Sequence, residues 1–98
     1  MSVARALEDD PRLLAAASEL RELISARYPD ATFEIAYGSD PPGLYLIPTV
    51  DVEDTDEVVE LVMERELAMQ VDEELSVYVF PVRPLARVLA EASRSDSN

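Results

Sequence analysis

The chain contains no cysteine, histidine, lysine or tryptophan. Without cysteine there is no disulfide, no thiolate nucleophile and no cysteine-ligated zinc. Without histidine the commonest general base and the commonest metal ligand are missing. Without lysine, Schiff-base chemistry and lysine phosphate clamps are excluded. No apolar run approaches the ~18 residues a membrane span needs. The opening MSVARALEDD has no apolar stretch of the kind found in a secretory leader. These absences point to a cytoplasmic protein. Carboxylate, hydroxyl and arginine remain for chemistry, so a carboxylate site holding a divalent cation is the familiar enzymatic arrangement still open.

Two features dominate what is present. The chain has 98 residues, 48% of them hydrophobic, which suits one small globular domain rather than a disordered segment. That domain is expected over residues 1–92, with a polar, disordered tail at 93–98. The second feature is charge. Asp and Glu number 21 against 8 arginines, for a net charge of −13. Such a surface repels a phosphate backbone and an anionic membrane, so neither nucleic acid nor membrane is an expected partner. The acidity reads as a solubility device in a salty or acid-proteome host, as steering toward a basic protein, or as divalent-cation binding. In the second case the chain is an antitoxin-like or inhibitory partner of a nucleic-acid-handling protein.

Periodicity sets out the elements. Asp9 or Asp10 offers an N-cap and Pro11 fits the first helical position. Leu13, Ala16, Ala17, Leu20, Leu23, Ile24 and Tyr28 then follow on one helical face until Pro29 stops the helix. Residues 32–37 alternate as a strand, residues 38–43 are turn chemistry, and residues 44–52 read as a second, longer strand. Asp54 and Glu57 form a capping-box pattern ahead of a helix reaching Gln70 or Val71. A third strand spans 75–80, and Pro84 opens a short helix through Leu85, Ala86, Val88 and Leu89. The order α-β-β-α-β predicts a two-layer α+β sandwich, with two helices on one face of a three-stranded antiparallel sheet. Pro48 cannot donate to a neighbouring strand, which marks its strand as an edge and favours the order 2-1-3. The layout is similar to half a ferredoxin-like domain and, loosely, to KH-type and BON-type modules. A shared topology of this kind carries no function.

One stretch invites a catalytic reading. Tyr37-Gly38-Ser39, eleven residues, then Asp51-Val52-Glu53 resembles the active-site signature of nucleotidyltransferases. That resemblance implies Asp51 and Glu53 as metal ligands, with Gly38 and Ser39 approaching phosphate. The competing reading is a hairpin followed by a helix cap. The intervening residues are mostly a strand, Asp54 stands where an apolar residue belongs, and the third strand offers no further carboxylate. No basic residue lies between Arg27 and Arg65 to meet a triphosphate. The hairpin reading is therefore preferred, and no catalytic residue, metal or other cofactor is assigned.

Alternation gives the sheet two faces. Phe33, Ile35, Tyr37, Leu44, Leu46, Val50, Leu75, Val77 and Val79 share the one expected to meet the helices. Tyr45, Ile47, Tyr78, Phe80 and Val82 fall on the other, which three strands alone leave to water. Residues 85–89 folding back, a second copy, or a foreign partner could cover it. The second helix carries a wide apolar arc, with Val59, Met63 and Leu67 outside the core face formed by Val58, Leu61, Val62, Ala68 and Met69. Two surplus apolar surfaces on one small domain point to an oligomer. The expectation is a non-enzymatic protein-binding module, working as a homodimer through these residues.

Overall fold

The computed structural model describes residues 10–95. Residues 1–9 of the expected domain and residues 96–98 of the expected tail lie outside them. The elements run α1 (Pro11–Arg27), β1 (Thr32–Ser39), β2 (Pro42–Thr49), α2 (Asp56–Val71), β3 (Val77–Val79) and α3 (Leu85–Ser95). The result is an α+β fold in the order α-β-β-α-β-α.

Local chemistry explains the boundaries. Asp10 caps α1 from an extended conformation, its carboxylate accepting from the Arg12 N–H at 2.9 Å. The helix closes where the Tyr28 N–H donates to the Ile24 carbonyl at 2.7 Å, just ahead of Pro29. The expected N-cap at Asp54 shifts by one residue: Thr55 holds the N-cap of α2 without a side-chain bond, and Asp54 ahead of it accepts from the Asp56 N–H at 2.9 Å. The other half of the expected capping box does not form: Glu57 accepts instead from the Tyr28 hydroxyl at 3.3 Å, tying α2 to the end of α1. Burial and the neighbouring Glu57 carboxylate both push the Tyr28 pKa up. At the far end of α2, Glu74 takes a positive φ of 55°, and the Leu75 N–H returns to the Met69 carbonyl at 2.8 Å.

The hairpin is tighter than the sequence suggests. β1 and β2 pair antiparallel from Thr32↔Thr49 to Ser39↔Pro42, leaving only Asp40 and Pro41 to turn the chain. Their peptide bond is cis, the isomer of a type VI turn. Both glycines flank this turn with negative φ, so their role is space rather than backbone freedom. A methyl at Gly38 would overlap the Tyr45 ring, and one at Gly43 would overlap the Ser76 carbonyl and the Tyr78 ring.

The sheet corrects the expected topology. Its order is β1-β2-β3, not 2-1-3, and it is mixed: β2 is central, antiparallel to β1 and parallel to β3. A strand–helix–strand connection between neighbours delivers a parallel pair, and β2-α2-β3 is such a unit. Pro48 occupies the central strand because of what lies across from it. Its carbonyl accepts from the Val82 N–H at 2.9 Å, so its nitrogen also points toward β3. The register Leu46↔Val79 and Thr49↔Val82 sets Pro48 opposite Pro81, where β3 has ended. The missing donor thus falls at an interruption already present in the partner. β2 also stops at Thr49 rather than continuing to residue 52; beyond it the Val52 N–H bends back to the Val50 carbonyl at 3.0 Å.

Helices α1 and α2 cover one face of the sheet. Leu13, Ala16, Ala17, Leu20 and Ile24 of α1 meet Val58, Val62 and Met69 of α2 over Leu44, Leu46, Val50, Val77 and Val79. Phe33 and Tyr37 border this core from β1. Between the helices, the Arg65 guanidinium bridges Glu73 at 2.6 Å and Glu19, one of whose oxygens lies at 3.1 Å. Hydrogen bonding from Arg65 lowers the Glu19 pKa.

Candidate functional site

The apolar alternation of β2 and β3 places the expected surface residues together. Tyr45, Ile47, Tyr78, Phe80 and Val82 all lie on the sheet face opposite the helices, because Tyr45 pairs with Tyr78 and Thr49 with Val82 across the parallel ladder. Three rings form one cluster. Tyr45 meets Tyr78 edge-on at 5.8 Å and Phe80 at 5.1 Å, and Tyr78 and Phe80 lie 6.5 Å apart. The Tyr45 hydroxyl donates to the Pro41 carbonyl at 2.6 Å, which fixes its ring over Gly38. The cluster is therefore a preformed platform, held from its own side by the hairpin turn.

The C-terminal helix does not close this platform. Phe80 and Val82 remain 46% and 42% exposed. α3 is attached instead through arginines on its polar side and just ahead of it: the Arg87 Nε and the Arg83 Nε both donate to the Val52 carbonyl, at 3.0 and 3.1 Å. Arg87 also pairs with Asp51 at 3.2 Å, and Arg83 pairs with Glu91. At about 100° per residue, Leu85, Val88 and Leu89 occupy the side of α3 turned away from Arg87 and Glu91. They stand 71%, 43% and 58% exposed. An amphipathic helix ordinarily docks by its apolar stripe; this one docks by its charged stripe and presents the apolar one.

On α2, Met63 and Leu67 are exposed and Val59 is half-buried. They do not join the aromatic platform directly, because two polar residues stand between them and the sheet. Glu66 accepts from the Val79 N–H at 3.1 Å, and the Gln70 side chain donates to the Val77 carbonyl at 2.8 Å. Gln70 also donates to Glu66 at 3.3 Å. These two side chains, one turn apart, occupy the outer backbone groups of β3. Burial pushes the Glu66 pKa up, against the pull of the Val79 N–H and Gln70. Continuing round the helix away from Arg65 come Met63, Leu67 and Val71, an exposed apolar row beyond the β3 edge.

Asp51 and Glu53 sit past the end of β2, not on a strand. Asp51 is engaged by Arg87, and Gly38 and Ser39 are paired within the hairpin. Among the described residues, no group of three or more carboxylate, histidine or cysteine side chains is placed to hold a metal ion. A cleft of about 420 Å³ runs between α1 and α2, lined by Arg12, Ala15, Ala16, Glu19, Arg65, Met69, Glu73 and Leu75. Its Arg65 is already committed to Glu19 and Glu73, which leaves that guanidinium little capacity for an incoming anion.

Sequence reasoning missed Glu66, Gln70 and the arginine clasp of α3. Glu66 and Gln70 had a signal, being a polar pair at i and i+4 beside the apolar arc of α2. Arg83 and Arg87 share that spacing beside Leu85, Val88 and Leu89. No protein-family model matches the chain, and neither the curated proteins nor the solved structures contain a significant match to it. Among the described residues, no helix is long and apolar enough to cross a membrane.

Proposed function

We propose that this chain is a cytoplasmic, non-enzymatic protein-binding module that works as a homodimer. One observation carries the reading: around a closed core, three separate elements leave apolar side chains bare. Phe80 and Val82 do so at the sheet, Met63 and Leu67 on α2, and Leu85, Val88 and Leu89 on α3. Patches of this kind on a small domain mark surfaces that associate with protein. The ring cluster adds rigid aromatic anchors, the residue type that dominates protein interfaces. Light scattering coupled to size exclusion tests the dimer. Twice the chain mass at micromolar concentration supports it, and a monomer throughout that range overturns it.

The net charge of −13 favours a second reading, in which the same surface receives a basic protein and the acidity accelerates the encounter. Association would then weaken steeply with salt.

A further inference from the structure

The two edges of the sheet are treated differently by the fold. At β3, the outward Val79 N–H and Val77 carbonyl are filled by Glu66 and Gln70. No strand can add there without displacing both side chains. At β1, Thr32, Glu34, Ala36 and Gly38 face β2, being partners of the β2 residues whose backbone points away from β3. The N–H and C=O groups of Phe33, Ile35, Tyr37 and Ser39 therefore point outward, and no described residue supplies them with a hydrogen-bond partner. Proteins ordinarily blunt such an edge with proline, lysine, a bulge or a covering segment. β1 runs for 8 residues as TFEIAYGS, with no proline, no lysine and an unbroken register.

We infer that two copies of this chain join edge to edge through antiparallel β1 strands, with Ile35 of each copy on the two-fold axis. This rests on the homodimer reading above but moves the contact between copies from the bare apolar patches to the β1 edge, leaving those patches free for another protein. The sequence of β1 is complementary to itself in this register. Ile35 faces Ile35 of the second copy, Phe33 faces its Tyr37, and the lone charge, Glu34, faces its Ala36. Apolar and aromatic cross-strand pairs of this type stabilise a sheet, and like charges directly opposite weaken it. A shift of one residue toward the N-terminus would set Glu34 against itself. A shift the other way would set Phe33 against Ser39.

Beside the edge, on the helix face, lies a pocket of about 170 Å³ lined by Leu14, Ala17, Arg21, Phe33, Ile35 and Leu46. Ile35 is 45% exposed and Leu14 44%. The side chains of the second β1 that share this face are the ones positioned to fill it. Joined this way, the copies form one continuous sheet. Both aromatic platforms stay open on the same side, and the apolar residues of α2 and α3 are left for another protein.

The absence of cysteine makes the test direct. Hydrogen-bonded antiparallel partners have Cα atoms about 5.5 Å apart, within disulfide range. Ile35→Cys in the full chain should form a disulfide-linked dimer under mild oxidation, whereas Glu34→Cys should stay largely uncrosslinked. Ile35→Lys, which leaves the backbone intact, should raise the dimer dissociation constant about tenfold or more, with an unchanged circular dichroism spectrum reporting the fold. A dimer that resists Ile35→Lys and fails to cross-link at position 35 overturns the edge pairing while leaving the homodimer standing. A native chain that is monomeric at micromolar concentration overturns both.

Discussion

Glu66 offers a quantitative test of how the β3 edge is closed. Its carboxylate is the acceptor for the Val79 N–H and lies within reach of Gln70. Replacing Glu66 with Ala removes the acceptor and leaves that amide, next to a buried side chain, without its partner. A loss of this kind costs about 1–3 kcal/mol; partial exposure of the site places the expectation for Glu66→Ala near the lower half, about 1–2 kcal/mol. Glu66→Gln keeps an oxygen in the same place and removes a half-buried charge. It should fall within about 0.5 kcal/mol of the native chain at neutral pH, on the stabilising side. The sign of the pH dependence follows from the raised pKa. The folded state holds the Glu66 proton above the ordinary value of 4.5, so the native chain loses stability as pH rises through the window between that value and the raised one. The advantage of Gln should therefore be present at pH 7 and vanish near pH 4.5. Urea unfolding reads this directly: with a slope of about 1–2 kcal/mol/M for a domain of this size, Glu66→Ala should lower the midpoint by roughly 1 M. Equal losses for Ala and Gln would refute the acceptor role and assign the effect to charge.

Three further outcomes follow from the packing. Leu20→Ala empties a fully buried position between α1 and the sheet and should cost about 2–5 kcal/mol in the same unfolding assay. Gly38→Ala forces the Tyr45 ring off its seat, costing about 1–3 kcal/mol and, in proton spectra, shifting the Tyr45 and Phe80 ring resonances. Glu74→Gly relieves a left-handed backbone position and should raise stability by up to about 1 kcal/mol in thermal unfolding.

Much of this architecture is legible in the chain because it is written locally. The α1 cap, the apolar stripe from Leu13 to Ile24 and the two faces of the sheet depend on residues a few positions apart. The sheet order is not local. Pro48 reads as an edge marker from its own strand, yet its tolerance depends on Pro81, 33 positions later and directly across the ladder. Alternation equally cannot separate an edge strand from a central one, so Ile35 reads as core and proves half exposed. Glu66 looks like an ordinary solvated helix residue until β3 is placed beside it. The open aromatic face was readable because both Tyr45 and Tyr78 alternate with core residues. That α3 leaves this face open is set by geometry beyond the sequence pattern, since α3 is anchored by Arg83 and Arg87 and not by its leucines.

That anchoring separates two kinds of selection. Side chains that hold an ordinary amphipathic helix to its domain cannot change without loosening the domain. In α3 the holding residues and the displayed residues are different sets: Arg83 precedes the helix, and Arg87 sits on the side opposite Leu85, Val88 and Leu89. Leu85, Val88 and Leu89 contribute little to the folded core, and Arg83 and Arg87 contribute nothing to the displayed stripe. On the proposed binding role, rewriting three positions would change the displayed stripe while the scaffold beneath keeps its stability.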